Sequence, residues 1–260
     1  RSWREVALGL QVRGVPRPAP RDSDGWDGAG ALAREGPGAA RGAADEHTIF
    51  PKIHKEGYRF LAIAIVVTFI LLLFSEILGL IGVLLTVWVY YFFRDPDRIS
   101  IDDDNFLVSP ADGLISNIEE VNGPIELSLD NKKFTKVSVF MNVFNCHVNR
   151  SPVSAKVEEI FYKPGKFLNA SLDKSSEENE RNYYRLKTLN DEEEIIIVQI
   201  AGLIARRIVC EVESNQEVKQ GERIGMIRFG SRVDIFFNNR KLLAKVGQNV
   251  VAGESLIASK

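Results

Sequence analysis

The chain has 260 residues, with 33 Lys and Arg against 35 Asp and Glu, so its formal charge is −2. That balance excludes a nucleic-acid binder working by bulk charge, and 45% hydrophobic with 26% charged residues excludes a wholly disordered chain. Two cysteines, Cys146 and Cys210, exclude a disulfide-framed scaffold, and with only three histidines they leave little material for a structural zinc site.

Residues 1–46 carry 8 of the 20 glycines and 4 of the 10 prolines, no Lys and no Ile, and all seven basic residues there are Arg. With no hydrophobic period and little apolar bulk, this stretch is expected to be a disordered or non-native extension. A transit peptide is the rival reading, opposed by seven acidic residues.

Residues 47–94 read as a membrane anchor. The run Phe60–Phe93 contains one charged residue, Glu76, and far exceeds the ~18 apolar residues that suggest a membrane helix. A single straight helix of that length would run about 50 Å, too long for a ~30 Å hydrocarbon core. Two helices joined near Glu76 would each run roughly 23–26 Å, so the expectation is a helical hairpin. Lys52, Lys55 and Arg59 precede it and Arg94 and Arg98 follow it. The positive-inside rule then places both ends, and the domain that follows, on the cytoplasmic face of the cell (inner) membrane. Trp88, Tyr90 and Tyr91 would form an interfacial aromatic belt.

Residues 95–260 read as mainly β. Short β-branched segments at 133–144, 193–204, 206–213, 222–229 and 232–237 are separated by Gly, Asn and Asp. There is also an internal echo: QEVKQGERI (216–224) returns as QNVVAGESL (248–256). Each copy predicts strand, Gly turn, strand, in the manner of barrel-sandwich hairpins. The second copy has no lysine at its tip, and the first has Lys219 without the flanking Met or Ala expected around a carrier lysine, so the echo is a fold signal and not a carrier site.

Three positions have chemical potential, each with a plain structural alternative. Ser231, after Gly230 between two strand-like runs, could be filler at a bulge. Asp112 in SPADG (109–113) could be a solvated turn residue. His147 in NCHVNRSP (145–152) could be a hydrogen-bonded structural histidine. Cys146 lies beside His147, but adjacent strand residues face opposite ways, which disfavours a Cys/His pair. Cys146 and Cys210 are expected to be buried small hydrophobes.

Taken together, FFRDPDR (92–98), SPADG (109–113), NCHVNRSP (145–152), YKPGKFLNAS (162–171), QIAGLIARRIVC (199–210) and GERIGMIRFGSRVD (221–234) resemble the phosphatidylserine decarboxylases. The likeness is to the short, membrane-anchored bacterial form of the proenzyme and covers roughly residues 47–260. It implies self-cleavage between Gly230 and Ser231 into a β chain (1–230) and an α chain (231–260), held as a heterodimer, with higher oligomers left open. Ser231 would attack the Gly230 carbonyl and end as a pyruvoyl group, which forms a Schiff base with the substrate amine. That carbonyl replaces PLP as the electron sink for decarboxylation, and no metal is implied. The substrate would be the membrane phospholipid phosphatidylserine and the products phosphatidylethanolamine and CO2, with no nucleic-acid partner.

By the same resemblance Asp112 supports self-cleavage and His147 serves as base in cleavage and proton donor in decarboxylation, a dual use that an ordinary imidazole pKa of about 6.5 would suit. The second histidine of the longer family form falls on Arg150 here. For the substrate phosphate, charge alone offers Arg150, Lys163, Lys166 and Arg206–Arg207, with Lys166 and Arg150 the named candidates. Two rival readings remain: a membrane-tethered barrel-sandwich module without catalysis, and a pyruvoyl decarboxylase of a soluble amino-acid derivative.

Overall fold

In the computed structural model, which describes residues 50–166, 178–202, 207–228 and 231–260, the long apolar run breaks at a single residue. The extension read for residues 1–46 lies outside the described residues. A short strand β1 (Lys52–Ile53) leads into α1 (Gly57–Phe74), Ser75 leaves the helix in extended geometry (φ −167°, ψ 139°), and α2 (Glu76–Phe92) starts at once. A Cβ on Gly79 would lie 2.0 Å from Leu72 Cδ2, and one on Gly82 2.9 Å from Thr68 Oγ1. Those two glycines therefore let the helices close together. The Thr68 and Thr86 hydroxyls share a 2.8 Å hydrogen bond in the same seam, and Phe60 stacks on Phe93 at its base. These pairings run in opposite directions along the two helices, so the pair is the antiparallel hairpin expected from the sequence. Leu73, Phe74, Ile77 and Leu84 point outward and are exposed. By length and composition α1 is apolar enough to cross a membrane, and α2 is a shorter apolar helix.

The chain leaves the hairpin through β2 (Arg94–Asp95), which pairs antiparallel with β1. Phe92 and Phe93 are fully buried and pack with Met226, alongside Ile53, Phe60, Trp88 and Val209. The RDPDR stretch then ties this foot to the β domain. Asp95 accepts from Arg150 Nη2 at 3.2 Å and from Arg223 Nε at 2.6 Å, while Asp97 meets Lys52 at 3.2 Å and Arg223 at 3.3 Å.

The β domain continues with β3 (Phe106–Val108), β4 (Gly113–Asn122), a 3₁₀ turn at Ile125–Leu127, β5 (Lys133–Met141), β6 (Val148–Arg150) and β7 (Ala155–Lys163). Then come β8 (Arg181–Thr188), β9 (Glu194–Ala201), β10 (Ile208–Cys210), β11 (Glu217–Val218) and β12 (Arg223–Ile227). The last four are β13 (Ser231–Phe237), β14 (Lys241–Leu242), β15 (Asn249–Val250) and β16 (Leu256–Ser259). An antiparallel eight-stranded sheet runs β11-β7-β8-β9-β13-β5-β4-β15, and two three-stranded sheets run β10-β12-β6 and β14-β16-β3. Alternate residues explain the layering. Val137, Val139, Ile195, Ile197, Val233 and Ile235 face a core completed by Ile208, Ile224 and Ile227 of one small sheet and Leu107, Ile257 and Ala258 of the other. The opposite face of the large sheet carries Phe134, Tyr183, Val198 and Phe236, covered by Leu127 and Leu129.

The sequence echo is an internal two-fold relation. β11 and β15 form the two edges of the large sheet, and each leads to a glycine in the left-handed region, Gly221 (φ +78°) and Gly253 (φ +77°). A Cβ on Gly253 would lie 3.4 Å from Gly221 Cα, so the two turns touch, and glycine suits both the φ and the approach. The relation extends beyond the echo. The two Ser-Pro turns exchange backbone bonds reciprocally, Val108 N–H to Pro152 O at 3.0 Å and Arg150 N–H to Pro110 O at 2.9 Å.

Candidate active site

Ser231 opens β13, the strand between β9 and β5, and lies opposite Met141 on one side and Ala201 on the other. It is fully buried, and its Oγ has no hydrogen-bond partner among the described residues. By strand alternation it faces the main core with Val233 and Ile235. Gly230, the other half of the expected cleavage point, lies outside the described residues.

Asp112 is placed at the same end of the sheet. It immediately precedes β4, whose Leu114 lies opposite Phe140, and Phe140 is also the neighbour of Arg232. The two residues thus flank one end of β5, with strands roughly 5 Å apart on either side. Asp112 is mostly buried and fixed at both oxygens: Oδ2 accepts from Arg98 Nη2 at 2.8 Å and Oδ1 from the Ala252 N–H at 2.8 Å. Its counter-charge comes from the RDPDR motif, a partner that sequence spacing alone did not identify.

His147 follows from the loop that leaves that end of β5. Its carbonyl accepts from the Ile227 N–H at 3.3 Å, which seats it beside β12. The ring is fully buried and lies against Phe92, the last residue of α2, with centroids 4.3 Å apart. Nδ1 is 3.0 Å from the Asn145 carbonyl. A carbonyl can only accept, so Nδ1 carries the proton and Nε2 presents its lone pair. That Nε2 is buried and has no partner among the described residues. Burial pushes the imidazole pKa down to about 3, and the nearby Arg94 charge acts the same way against the Asn145 bond. The expected ordinary imidazole is therefore not found: the resting ring is a neutral one. A histidine with a depressed native pKa contributes stability that is complete above about pH 6.5 and is lost as the pH falls from there towards 3. In a Ser231→Ala chain, unfolding stability should fall by up to about 1.4 kcal/mol per pH unit below about 6.5. His147→Gln should flatten that slope between pH 6.5 and 4.5. Equal slopes in denaturant titrations of the two chains would contradict the buried neutral ring.

Other residues hold this frame. Asn149, two residues after His147, donates to Met141 Sδ at 3.7 Å and accepts from Gln199 Nε2 at 2.8 Å, and Gln199 Oε1 takes the Tyr184 hydroxyl at 2.8 Å. This buried network pins β6 over Met141, the residue opposite Ser231. It was missed from sequence because Gln199 sits in an apolar run, where only the interruption in EIIIVQIA hinted at it, and Tyr184 lies in the mixed strand RNYYRLKT, which gave no sign of a buried hydroxyl.

The other candidates fall differently. The Lys166 backbone bonds to Glu178 and Glu180, and Glu180 accepts from the Ala201 N–H, so Lys166 stands at the Ser231 end of the sheet. Its side chain is 70% exposed, and the ammonium meets Glu178 at 2.9 Å. Arg150 is buried, and its guanidinium donates to Asp95, the Pro96 carbonyl and the Gly221 carbonyl. These contacts make it a clamp between the hairpin foot and β12 and leave it little capacity for a phosphate. Lys163 meets Glu126 at 2.8 Å, Arg207 is exposed, and Arg206 lies outside the described residues. Cys146 is buried as expected, its thiol raised in pKa by burial and directed at the Arg94 carbonyl at 3.3 Å. Cys210 is a correction: it ends β10 and is exposed, because a three-residue strand at a sheet edge has too little cover for its last side chain. His54 also joins the β domain, its Nε2 3.1 Å from Glu211, and with Lys55 it lowers the Glu211 pKa to about 2. Among the described residues no group of three or more His, Cys, Asp or Glu side chains is arranged to hold a metal ion.

The family model described as phosphatidylserine decarboxylase matches residues 85–258, and the chain belongs to that family. It is therefore an enzyme of the carboxy-lyase class. Curated relatives named phosphatidylserine decarboxylase proenzyme come from Pelagibacter ubique, Cereibacter sphaeroides and Rickettsia typhi. The first is 66% identical over 212 residues, 82% of this chain and 98% of the relative. The second is 51% identical over 212 residues, covering 81% and 91%, and the third 50% identical over 211 residues, again covering 81% and 91%.

Proposed function

We propose that the chain cuts itself between Gly230 and Ser231 and then decarboxylates phosphatidylserine to phosphatidylethanolamine and CO2. The observation that carries this reading is two buried polar atoms with no partner among the described residues, Ser231 Oγ opposite Met141 at the end of β5 and His147 Nε2 in the loop that leaves that same end. A buried hydroxyl with nothing to bond is costly, and a role in chemistry is a reason to retain one. In the first step Nε2 takes the Ser231 hydroxyl proton while Oγ adds to the Gly230 carbonyl, and the peptide bond becomes an ester. Loss of the Ser231 α-proton with departure of the residue 230 carboxylate, then addition of water and loss of ammonia, turns Ser231 into a pyruvoyl group. The products are chains 1–230 and 231–260.

The site suits that group: position 231 is buried, with Met141 and Ala201 as its strand neighbours. The pyruvoyl group supplies an electron sink for the carbanion left when CO2 departs. The remaining work belongs to the chain. His147 holds or delivers a proton at Nε2, and an anionic headgroup entering beside the ring would raise its pKa from the low resting value, so that it charges only with substrate in place. The Arg98–Asp112 pair fixes a charge at the β4 end of the site. Lys166, at the rim, is the cation best placed to meet a phosphate.

Residues 47–94 serve as the membrane anchor and 95–260 as the catalytic domain on the cytoplasmic face. The exposed apolar shell of α1 and α2 and the cations Lys52, Lys55 and Arg59 at its base support this. Denaturing electrophoresis with mass spectrometry of purified membranes tests the reading. The expected products are a 1–230 chain and a blocked 231–260 fragment that reacts with carbonyl reagents. An intact 29.1 kDa chain that leaves phosphatidylserine unchanged would instead favour the non-catalytic module, and turnover of a soluble amino-acid derivative without lipid would favour the third reading.

A further inference from the structure

The loop between β5 and His147 exposes an aromatic ring close to the foot of the hairpin. Phe144 is 60% exposed, although a polar residue would serve a solvated turn as well. The loop is closed by its own hydrogen bonds: the Phe144 N–H donates to Asn142 Oδ1 at 2.8 Å, the Asn142 N–H to Asn145 Oδ1 at 2.9 Å, and the Asn145 N–H to the Asn142 carbonyl at 3.0 Å. The ring is therefore held outward. Arg94, two residues past α2, joins this loop to the hairpin. Its Nη2 donates to the Phe144 carbonyl at 3.0 Å and its Nη1 to the Tyr91 carbonyl at 2.7 Å, and the guanidinium lies 3.7 Å over the Tyr91 ring. Phe144 thus stands one guanidinium away from the last turn of α2, at the edge of the hairpin's exposed apolar shell, with the Arg94 charge beside it. Three residues later the chain reaches His147, itself lying against Phe92 of the same turn.

We propose that Phe144 is a second membrane contact, dipping into the lipid interface beside the hairpin and setting the His147 side of the site at headgroup level. The occupant is a lipid surface, because the exposed ring continues the apolar shell of α2 and is flanked by the Arg94 charge, the combination that binds at an anionic bilayer interface. This inference rests on the hairpin being a membrane anchor, so the test separates the two. The full chain is prepared as Ser231→Ala with both native cysteines replaced, and a single cysteine is placed at 144, at 70 in α1 or at 241 on the remote β14. Each is spin-labelled in phosphatidylglycerol–phosphatidylcholine vesicles. The label at 70 should favour oxygen over a water-soluble nickel complex, the label at 241 the reverse, and the label at 144 should report interfacial depth within about 10 Å of the headgroup boundary. A lipid signal at 70 with a water signal at 144 overturns the inference alone. A water signal at 70 overturns the anchor as well. In the native-sequence enzyme, Phe144→Ser should raise the apparent KM for the surface fraction of phosphatidylserine by roughly fivefold or more, with kcat affected less, and Phe144→Leu should restore it. An equal loss in kcat and kcat/KM would mark Phe144 as merely structural and overturn the inference.

Discussion

Ser231→Ala should give a chain that folds, stays uncut and forms no phosphatidylethanolamine. The folding half of that expectation follows from the site. The Ser231 hydroxyl is fully buried and bonds nothing among the described residues, so removing it leaves no donor stranded and should cost no stability, with a gain of up to about 1 kcal/mol in reach. The chemical half follows from the absence of any other hydroxyl at that position. The variant should migrate as one band on a denaturing gel, react with no carbonyl reagent and show a native-like circular dichroism spectrum. A cleaved or active Ser231→Ala chain would remove the serine from the mechanism.

His147→Gln should slow the enzyme by about 10²–10⁴-fold, the usual worth of a positioned acid–base group. Gln is chosen to keep a polar group beside Asn145 while removing a titrating nitrogen. Two rates need separate measurement: appearance of the small fragment in freshly synthesised chain, and turnover per fragment once formed. A defect in the first alone assigns Nε2 to self-cleavage, and a defect in both assigns it to both steps. Normal values for both would leave the ring a packing partner of Phe92 and nothing more.

Sequence patterning was enough for the hairpin, because one charge in thirty-four residues and the length of a bilayer leave few alternatives. It was enough for some of the strands: the run at 133–144 became Lys133–Met141 and that at 232–237 became Ser231–Phe237, but β4, β7 and β8, with their mixed polar and charged residues, were not named. The echo was legible as two strand–turn–strand units, but it was not legible that β11 and β15 form opposite edges of one sheet while β12 and β16 cross into two others, since strand order depends on pairings that local pattern does not carry. For the site, chain position named Ser231, Asp112 and His147. It could not name Phe92, 55 residues from the ring it covers, or the 2.8 Å bond from Arg98 to Asp112. Nor could it give the imidazole pKa, which is set by burial. Charge counting also could not separate Lys166, whose ammonium is open to solvent, from Arg150, whose guanidinium is enclosed by Asp95 and two carbonyls.

The place of β13 determines what a break ahead of Ser231 would do to the molecule. All seven of its residues are buried, with β9 on one side and β5 on the other, and the same short C-terminal piece also supplies the β15 edge and the β16 centre of a second sheet. Such a piece is woven through its parent and has no route out short of unravelling both sheets. The nick would therefore be silent in gel filtration and in any native assay of size. The new chain end would begin its life already clamped in register, its freedom limited to the few bonds nearest the former serine. Maturation of this kind alters the chemistry of one residue while the scaffold around it stays put.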